Sequence, residues 1–224
     1  VIGDDLFLKS DSAVINFGAD SEVTLTHVHN TGLSLNDKLT ITTADNDDQL
    51  ELISTDDDAS GGPAVRFYRN SSSPADNDSL LTMRIEGNND ASQLVVYNRL
   101  RADIIDASDG TEDSSFHIFN MMAGTERTMF SIKPDEVVFN DESRDVDFRV
   151  ESDSQGHAFF LEGSTSLVGI GVSNPADYNS YGNGLVIDRS EQSGSSGITL
   201  VSGTSGYGSI YFSDATGNVT HGAI

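Results

Sequence analysis

The stretch LTMRIEGNNDASQLVVYNRLRADIID, residues 81–106, decides the fold class. In its first arm Leu81, Met83 and Ile85 alternate with Thr82, Arg84 and Glu86. A period of two places one set of side chains on each face of an extended strand. Gly87-Asn88-Asn89-Asp90 then supplies turn residues. The second arm, Gln93 to Asp106, is where a helix competes: Asp90 offers an N-cap, and Val96, Leu100 and Ile104 lie four apart. Yet Leu94, Val96, Leu100, Ala102 and Ile104 all occupy even positions, interrupted only by Asn98. Tyr97, Arg99, Arg101 and Asp103 occupy odd ones. Strand is the better reading of both arms.

The same alternation recurs outward in both directions. Val146, Phe148 and Val150 alternate with Asp147, Arg149 and Glu151, Leu39 and Ile41 with Thr40 and Thr42, and Ile210 and Phe212 flank Tyr211. Polar clusters at Asn36-Asp37, Glu162-Gly163-Ser164 and residues 193–197 separate the apolar runs, at the spacing of about 8–12 residues that marks all-β chains. Two layouts repeat weakly. LELISTDDDASGGPAVRFYRN (50–70) and GLVIDRSEQSGSSGITLVSG (184–203) read as strand, polar loop, strand. LSLNDKLTI (33–41), FSIKPDEVVF (130–139) and FFLEGSTSLVGIG (159–171) read as strand, tight turn, strand. Hairpins that cannot bury a face alone stack or associate. We divide the chain into β shaft repeats over 1–60, a central β module over 61–135 entered at Gly61-Gly62-Pro63, and further β repeats over 136–224.

Composition narrows the function classes. Hydrophobic residues make up 36% of the 224-residue chain, which is thin for a self-sufficient core and favours an oligomer. The net charge of −24 repels phosphate backbones and anionic lipid, so neither nucleic acid nor membrane insertion is an expected partnership. Solubility in a salty medium explains the acidity more simply than a cationic ligand. With no cysteine there is no disulfide framework. No apolar run approaches the ~18 residues of a membrane span, and residues 1–5 carry no signal-peptide pattern.

Several segments resemble fibre proteins of bacteriophages, especially those of marine bacteria. INFGADSEVTLTHVHNTGLSLND (15–37) looks like a shaft motif, and GGPAVRFYRNSSSPADND (61–78) with DASDGTEDSSFHIFNMMAGTERTMFSI (106–132) looks like a module of such fibres. DFRVESDSQGHAFFLEGSTSLVGIGVSNP (147–175) is similar to segments leading toward a fibre tip, and GSIYFSDATGNVTHGAI (208–224) resembles a final β repeat. Together they cover well over half of the chain. The resemblance implies an elongated parallel homotrimer, interwoven or triple-β-helix-like, located in the virion and extracellular after release. Its implied partners are two identical chains, other virion proteins and a host glycan or protein receptor. Nothing in the sequence matches the self-cleaving chaperone that follows such repeats in many relatives.

Three constellations bear on chemistry. In EVTLTHVHN, Val23, Leu25, His27 and His29 share one face of a strand. If that face meets a threefold axis, three chains bring six imidazoles together, a set suited to an octahedral transition metal. Some phage fibres hold iron by such His-x-His pairs, which His27 and His29 resemble. The bland reading is a strand end bonded to water or backbone, and His117, His157 and His221 stand isolated. The acidic clusters at 45–48, 56–58 and 76–78 offer oxygen ligands for calcium but lack EF-hand spacing, so solvated loops are the better reading. Glycan depolymerase chemistry needs two carboxylates across a sugar cleft. Acidic residues are too plentiful to discriminate, and Trp is absent. Neither SGSSG (193–197) nor GIGVSNP (169–175) precedes an expected helix, as a nucleophile elbow or a phosphate cradle would.

The reading is therefore structural, not enzymatic: a virion fibre, in first place a tail fibre engaged in host attachment. Its apolar faces (Leu6, Leu8, Ile15, Phe17, Val23, Leu25, Leu81, Met83, Ile85, Val146, Phe148, Val150, Val168, Ile170, Val172) are buried by the chain itself and its neighbours. A head-decorating fibre and a cellular extracellular filament or adhesin are the other classes that the sequence leaves open.

Overall fold

The computed structural model describes residues 8–10, 12–21, 23–30, 32–59, 61–190, 195–207, 210–213 and 220–223. Among them the regular structure is strand, with a 3-10 turn at Pro175–Asp177 and no α-helix. The chain forms two compact units, Val1–Arg66 and Phe67–Ile224.

In the first unit β1 (Val14–Phe17), β2 (Val23–Val28) and β3 (Gly32–Leu35) make an antiparallel sheet in that order. Ile15 pairs with Leu25 and Leu25 with Leu35, while Phe17 pairs with Val23 and His27 with Leu33. Directly opposed residues share a face, so these apolar side chains form one surface with His27 on it. The chain turns out of the sheet at Asn36-Asp37. Asn36 bonds Thr24 twice, through its backbone N–H (3.4 Å) and by accepting the Thr24 N–H on Oδ1 (2.7 Å). Beyond it, residues 38–59 are exposed and belong to no strand. The hairpin expected over 33–41 thus has only its first arm in a sheet, and the strands expected over 50–70 form no ladder. Among the described residues no strand of the chain pairs with them.

The second unit opens with a five-stranded antiparallel meander: β4 (Ser79–Asn88), β5 (Leu94–Asp106), β6 (Asp113–Met122), β7 (Thr125–Ile132) and β8 (Val137–Phe139). The strand reading of 93–106 holds: β5 is a thirteen-residue strand, second in this sequence-ordered run and flanked by β4 and β6. The β4–β5 turn is fastened by Asn89, whose Oδ1 accepts the N–H groups of Ala91 (3.0 Å) and Gln93 (2.9 Å). The residue next to Asp90, the N-cap candidate of the competing helix reading, is thus the one that closes a hairpin.

A four-stranded sheet follows, ordered β9 (Phe148–Ser152), β10 (Gln155–Leu161), β11 (Val168–Ile170), β12 (Leu185–Ile187), with β11 and β12 parallel. Its small interior comprises Phe160, Val172, Pro175 and Val186. The crossover after β11 lies so close that Gly169 and Gly171 have no room for a Cβ, which would meet Val172 Cγ1 at 2.8 Å and the Asp188 carbonyl oxygen at 2.1 Å. GIGVSNP is a packing device. β13 (Tyr211–Ser213) and β14 (Thr220–Ala223) form an antiparallel pair.

Candidate interaction surface

Register assigns every residue of the five-stranded sheet to a face. Leu81 pairs with Ala102, Met83 with Leu100 and Ile85 with Asn98. Leu100 pairs onward with Ile118, and Ala102 with Phe116. Ile118 then meets Phe130, Phe116 meets Ile132, and these meet Phe139 and Val137. One face is therefore largely apolar across all five strands, its polar members being Asn98, Asn120 and, opposite Asn120, Arg127. Within the chain it is poorly covered: Met83, Ile118 and Ile132 are exposed, Ile85 stands 53% exposed and Phe139 57%.

The apolar face continues onto the next sheet. Phe130 and Phe139 stack at 4.9 Å between ring centroids, Phe139 and Phe148 at 5.1 Å, and Phe148 and Phe159 at 6.1 Å. This spacing falls in the range of favourable aromatic pairs. Phe148 pairs with Leu161, Val150 with Phe159, Leu161 with Val168, and Val168 with Leu185. At the junction of the two sheets lies a groove of about 540 Å³ lined by Met129, Val137, Phe139, Val146, Phe148 and Leu161. Val172, read from the sequence with these exposed positions, is instead buried in the small interior beneath the four-stranded sheet.

The opposite face of the five-stranded sheet is polar, and it is the better buried. Asp103, Ser115 and Ser131 are 6%, 4% and 0% exposed. Ser131 Oγ donates to Asp141 Oδ2 (2.9 Å) and lies 2.9 Å from His117 Nδ1, while His117 Nε2 lies 3.1 Å from Ser115 Oγ. A hydroxyl has one hydrogen to give, and Ser131 spends it on the carboxylate. It must therefore accept from His117 Nδ1–H, while His117 Nε2 pairs with the Ser115 hydroxyl. The Ser131 bond, aided by the Lys133 ammonium, holds the Asp141 carboxyl below the usual range. Nearby, Arg99 forks onto Glu126 (3.0 and 2.5 Å) with its guanidinium 4.1 Å from the Phe119 ring centre. Sequence reading left His117 isolated because Ser131 lies 14 residues downstream on β7, and Asp141, which Ser131 bonds in turn, lies in the loop after β8; only strand register brings Ser131 to the ring.

The sequence-derived metal candidates take different places. His27 lies in β2, its Nδ1 3.5 Å from the Ser10 carbonyl oxygen, beside a cavity lined by Leu8, Ala13, Ile15, Leu25 and Leu33. The strand stops at Val28, and His29 falls in the turn with Nε2 2.9 Å from Asn30 Nδ2. The alternation that would carry both rings to one face ends a residue short of His29. Among the described residues no group of three or more His, Cys, Asp or Glu side chains gathers within the chain as a metal site.

The acidic clusters carry turn contacts. Asp45 Oδ1 accepts the Asp47 N–H, Asp56 Oδ1 the Asp58 N–H, and Asp76 Oδ1 the Ala107 N–H. Asp78 holds Arg69 at 2.7 Å. His157 stacks edge-on against Phe160 at 5.2 Å, and the His221 side chain lies outside the described residues. No described helix is long and apolar enough to cross a membrane. No protein-family model, curated protein or solved structure matches the chain.

Proposed function

We propose that this chain is a segment of a virion fibre, in the first instance a bacteriophage tail fibre that takes part in host attachment, and that it works as a homotrimer. The observation that carries the reading is the cover of the five-stranded sheet: within one chain its buried positions are the polar Asp103, Ser115 and Ser131, while Met83, Ile85, Ile118, Ile132, Val137 and Phe139 of its apolar face stand exposed. Soluble monomers rarely leave so large an apolar surface in water, and such surfaces mark association sites. Each square ångström buried between copies contributes about 25 cal/mol, so a face spanning two sheets supports an obligate assembly. These rows hold no acidic side chain, so they form the surface on which copies of net charge −24 approach with least repulsion. The resemblance of several segments to phage fibres supplies the biological setting. In this reading the protein's work is mechanical and adhesive, with no catalytic step.

Sedimentation velocity on the purified protein tests the association. An elongated, denaturant-resistant trimer is expected, and a folded, soluble single subunit refutes it. Ile85→Asp and Phe148→Asp should each abolish trimer formation, because both place a charge on the face to be buried. Imaging of labelled virions then separates a tail position from a head position, and absence from virions would favour a cellular filament.

A further inference from the structure

The crossover from β11 to β12 runs over residues 171–184, and its base is held far more firmly than its tip. At the base Val172 and Val186 are buried and Pro175 is fully so. The Val168 N–H bonds the Gly184 carbonyl oxygen (3.1 Å), and the Asp188 N–H bonds that of Ile170 (2.9 Å). The Tyr178 hydroxyl donates to the Asp188 carboxylate, fastening the start of the tip to the residue just past β12. Residues 176–182 stand exposed. Their turn is formed: Asn179 accepts the Tyr181 N–H on Oδ1 (3.0 Å) and the Gly182 N–H on its carbonyl oxygen (2.9 Å). A bonded turn on a packed base thus holds Tyr181 in solvent, at 100% exposure.

The composition of this tip narrows what it meets. YNSYGNG (178–184) contains only Tyr, Asn, Ser and Gly, and no residue from 178 to 187 is charged in a chain of net charge −24. The same four residue types dominate antibody binding loops. Tyr supplies a rigid ring with apolar faces and a polar end, and Asn, Ser and Gly supply adaptable hydrogen bonding. The exposed run is far shorter than the roughly 20–30 residues a side of a stable protein–protein interface. A polymer of small neutral units suits it better. The C–H face of a sugar ring lies on an aromatic ring, and sugar hydroxyls bond amide and hydroxyl side chains. The charge of the whole chain disfavours acidic polymers.

We propose that the 178–184 tip is a contact site for a neutral polysaccharide. Tyr181 is its stacking ring, and the Ser180 hydroxyl and the Asn179 amide N–H groups are the hydrogen-bonding neighbours. This rests on the host-attachment reading above and gives it a location. Copies held in one fibre repeat a weak single contact, so that avidity takes the place of a deep pocket.

Electrophoresis of the full chain through native gels containing dextran, mannan, galactan or xylan reads the contact, with dextran sulfate as the acidic counterpart of the first. Retardation by at least one neutral polymer is expected. Retardation by none of them, or by dextran sulfate alone, overturns the proposal. Tyr181→Ala should weaken the binding about tenfold, the scale of a lost aromatic anchor, and Tyr181→Phe should keep most of it. The ring is fully exposed, so neither variant disturbs packing. Tyr207, 95% exposed on a segment outside any described strand, is the control. Tyr207→Ala should leave binding unchanged, and an equal loss there overturns the site. If Tyr181→Ala lowers the sedimentation mass of the assembly, the ring lies between copies and the proposal falls. A trimer seen on virions that no neutral polymer retards overturns this site alone. A single-chain protein absent from virions, yet retarded through Tyr181, overturns the fibre reading and keeps the site.

Discussion

Ala123 holds a positive φ of 48° beside Gly124 at 77°, and together they form the two-residue loop between β6 and β7. Two positive φ angles define the type I′ hairpin turn, which asparagine and glycine occupy readily and alanine does not. Ala123→Asn should raise stability by about 1 kcal/mol, read as a higher urea midpoint at unchanged slope; an unchanged midpoint would mean that the loop is unstrained. Asp141 yields a pH prediction. Its carboxyl is held below the usual range, first by the Ser131 hydroxyl and then by Lys133. A group whose folded value is depressed stabilises the fold fully above its unfolded value, and the contribution disappears as pH falls through the folded one. The loss should begin near about pH 4, the ordinary aspartate range, and continue below it. Asp141→Asn should lower stability at neutral pH and flatten the acid limb of the profile, both followed by denaturant titration at each pH.

At the scale of elements, close approach decides what a strand tolerates. Gly171 lies just past β11 at φ 76°, where an added methyl carbon would meet the Asp188 carbonyl oxygen at 2.1 Å. That carbonyl belongs to the residue after β12, whose N–H bonds Ile170 at 2.9 Å. Gly171→Ala combines backbone strain of roughly 1–3 kcal/mol with an overlap that only separation of β11 from β12 relieves. Faster amide exchange at Ile170 and Asp188, with β4 to β7 unaffected, is the expected pattern. Elements of this kind differ in how far the sequence announces them. Strands β4, β5 and β9 are legible because apolar and polar residues alternate with little interruption, and FSIKPDEVVF and FFLEGSTSLVGIG are legible because a polar turn divides two apolar runs. The crowding around Gly169 and Gly171 is not, since it depends on a parallel crossover that the local pattern does not encode. The Ser115–His117–Ser131–Asp141 network escapes for the same reason: each member is an ordinary residue until register sets β6 against β7. His27 and His29 show the converse, where a regular spacing is cut by a strand end at Val28.

For the whole molecule, apolar attraction and charge repulsion oppose each other, and salt tells which governs association. Each copy carries −24 formal charges, so bringing copies together raises the local density of negative charge. The contacts proposed here are mostly neutral: aromatic and aliphatic rows on one side of two sheets. Added salt therefore screens the repulsion while leaving the attraction nearly untouched. The Debye length shrinks from about 30 Å at 0.01 M to about 8 Å at 0.15 M, a change from long-range to nearest-neighbour repulsion on this scale. Association should strengthen steeply over that interval and then level off. Sedimentation equilibrium across a series of sodium chloride concentrations measures it, with sodium sulfate at matched ionic strength separating screening from the general salting-out of apolar surface. An assembly that weakens as salt rises would require ion pairs at its centre, and the bare face formed by Met83, Ile85, Ile118, Ile132 and Phe139 would then have to be covered by something other than a sister chain.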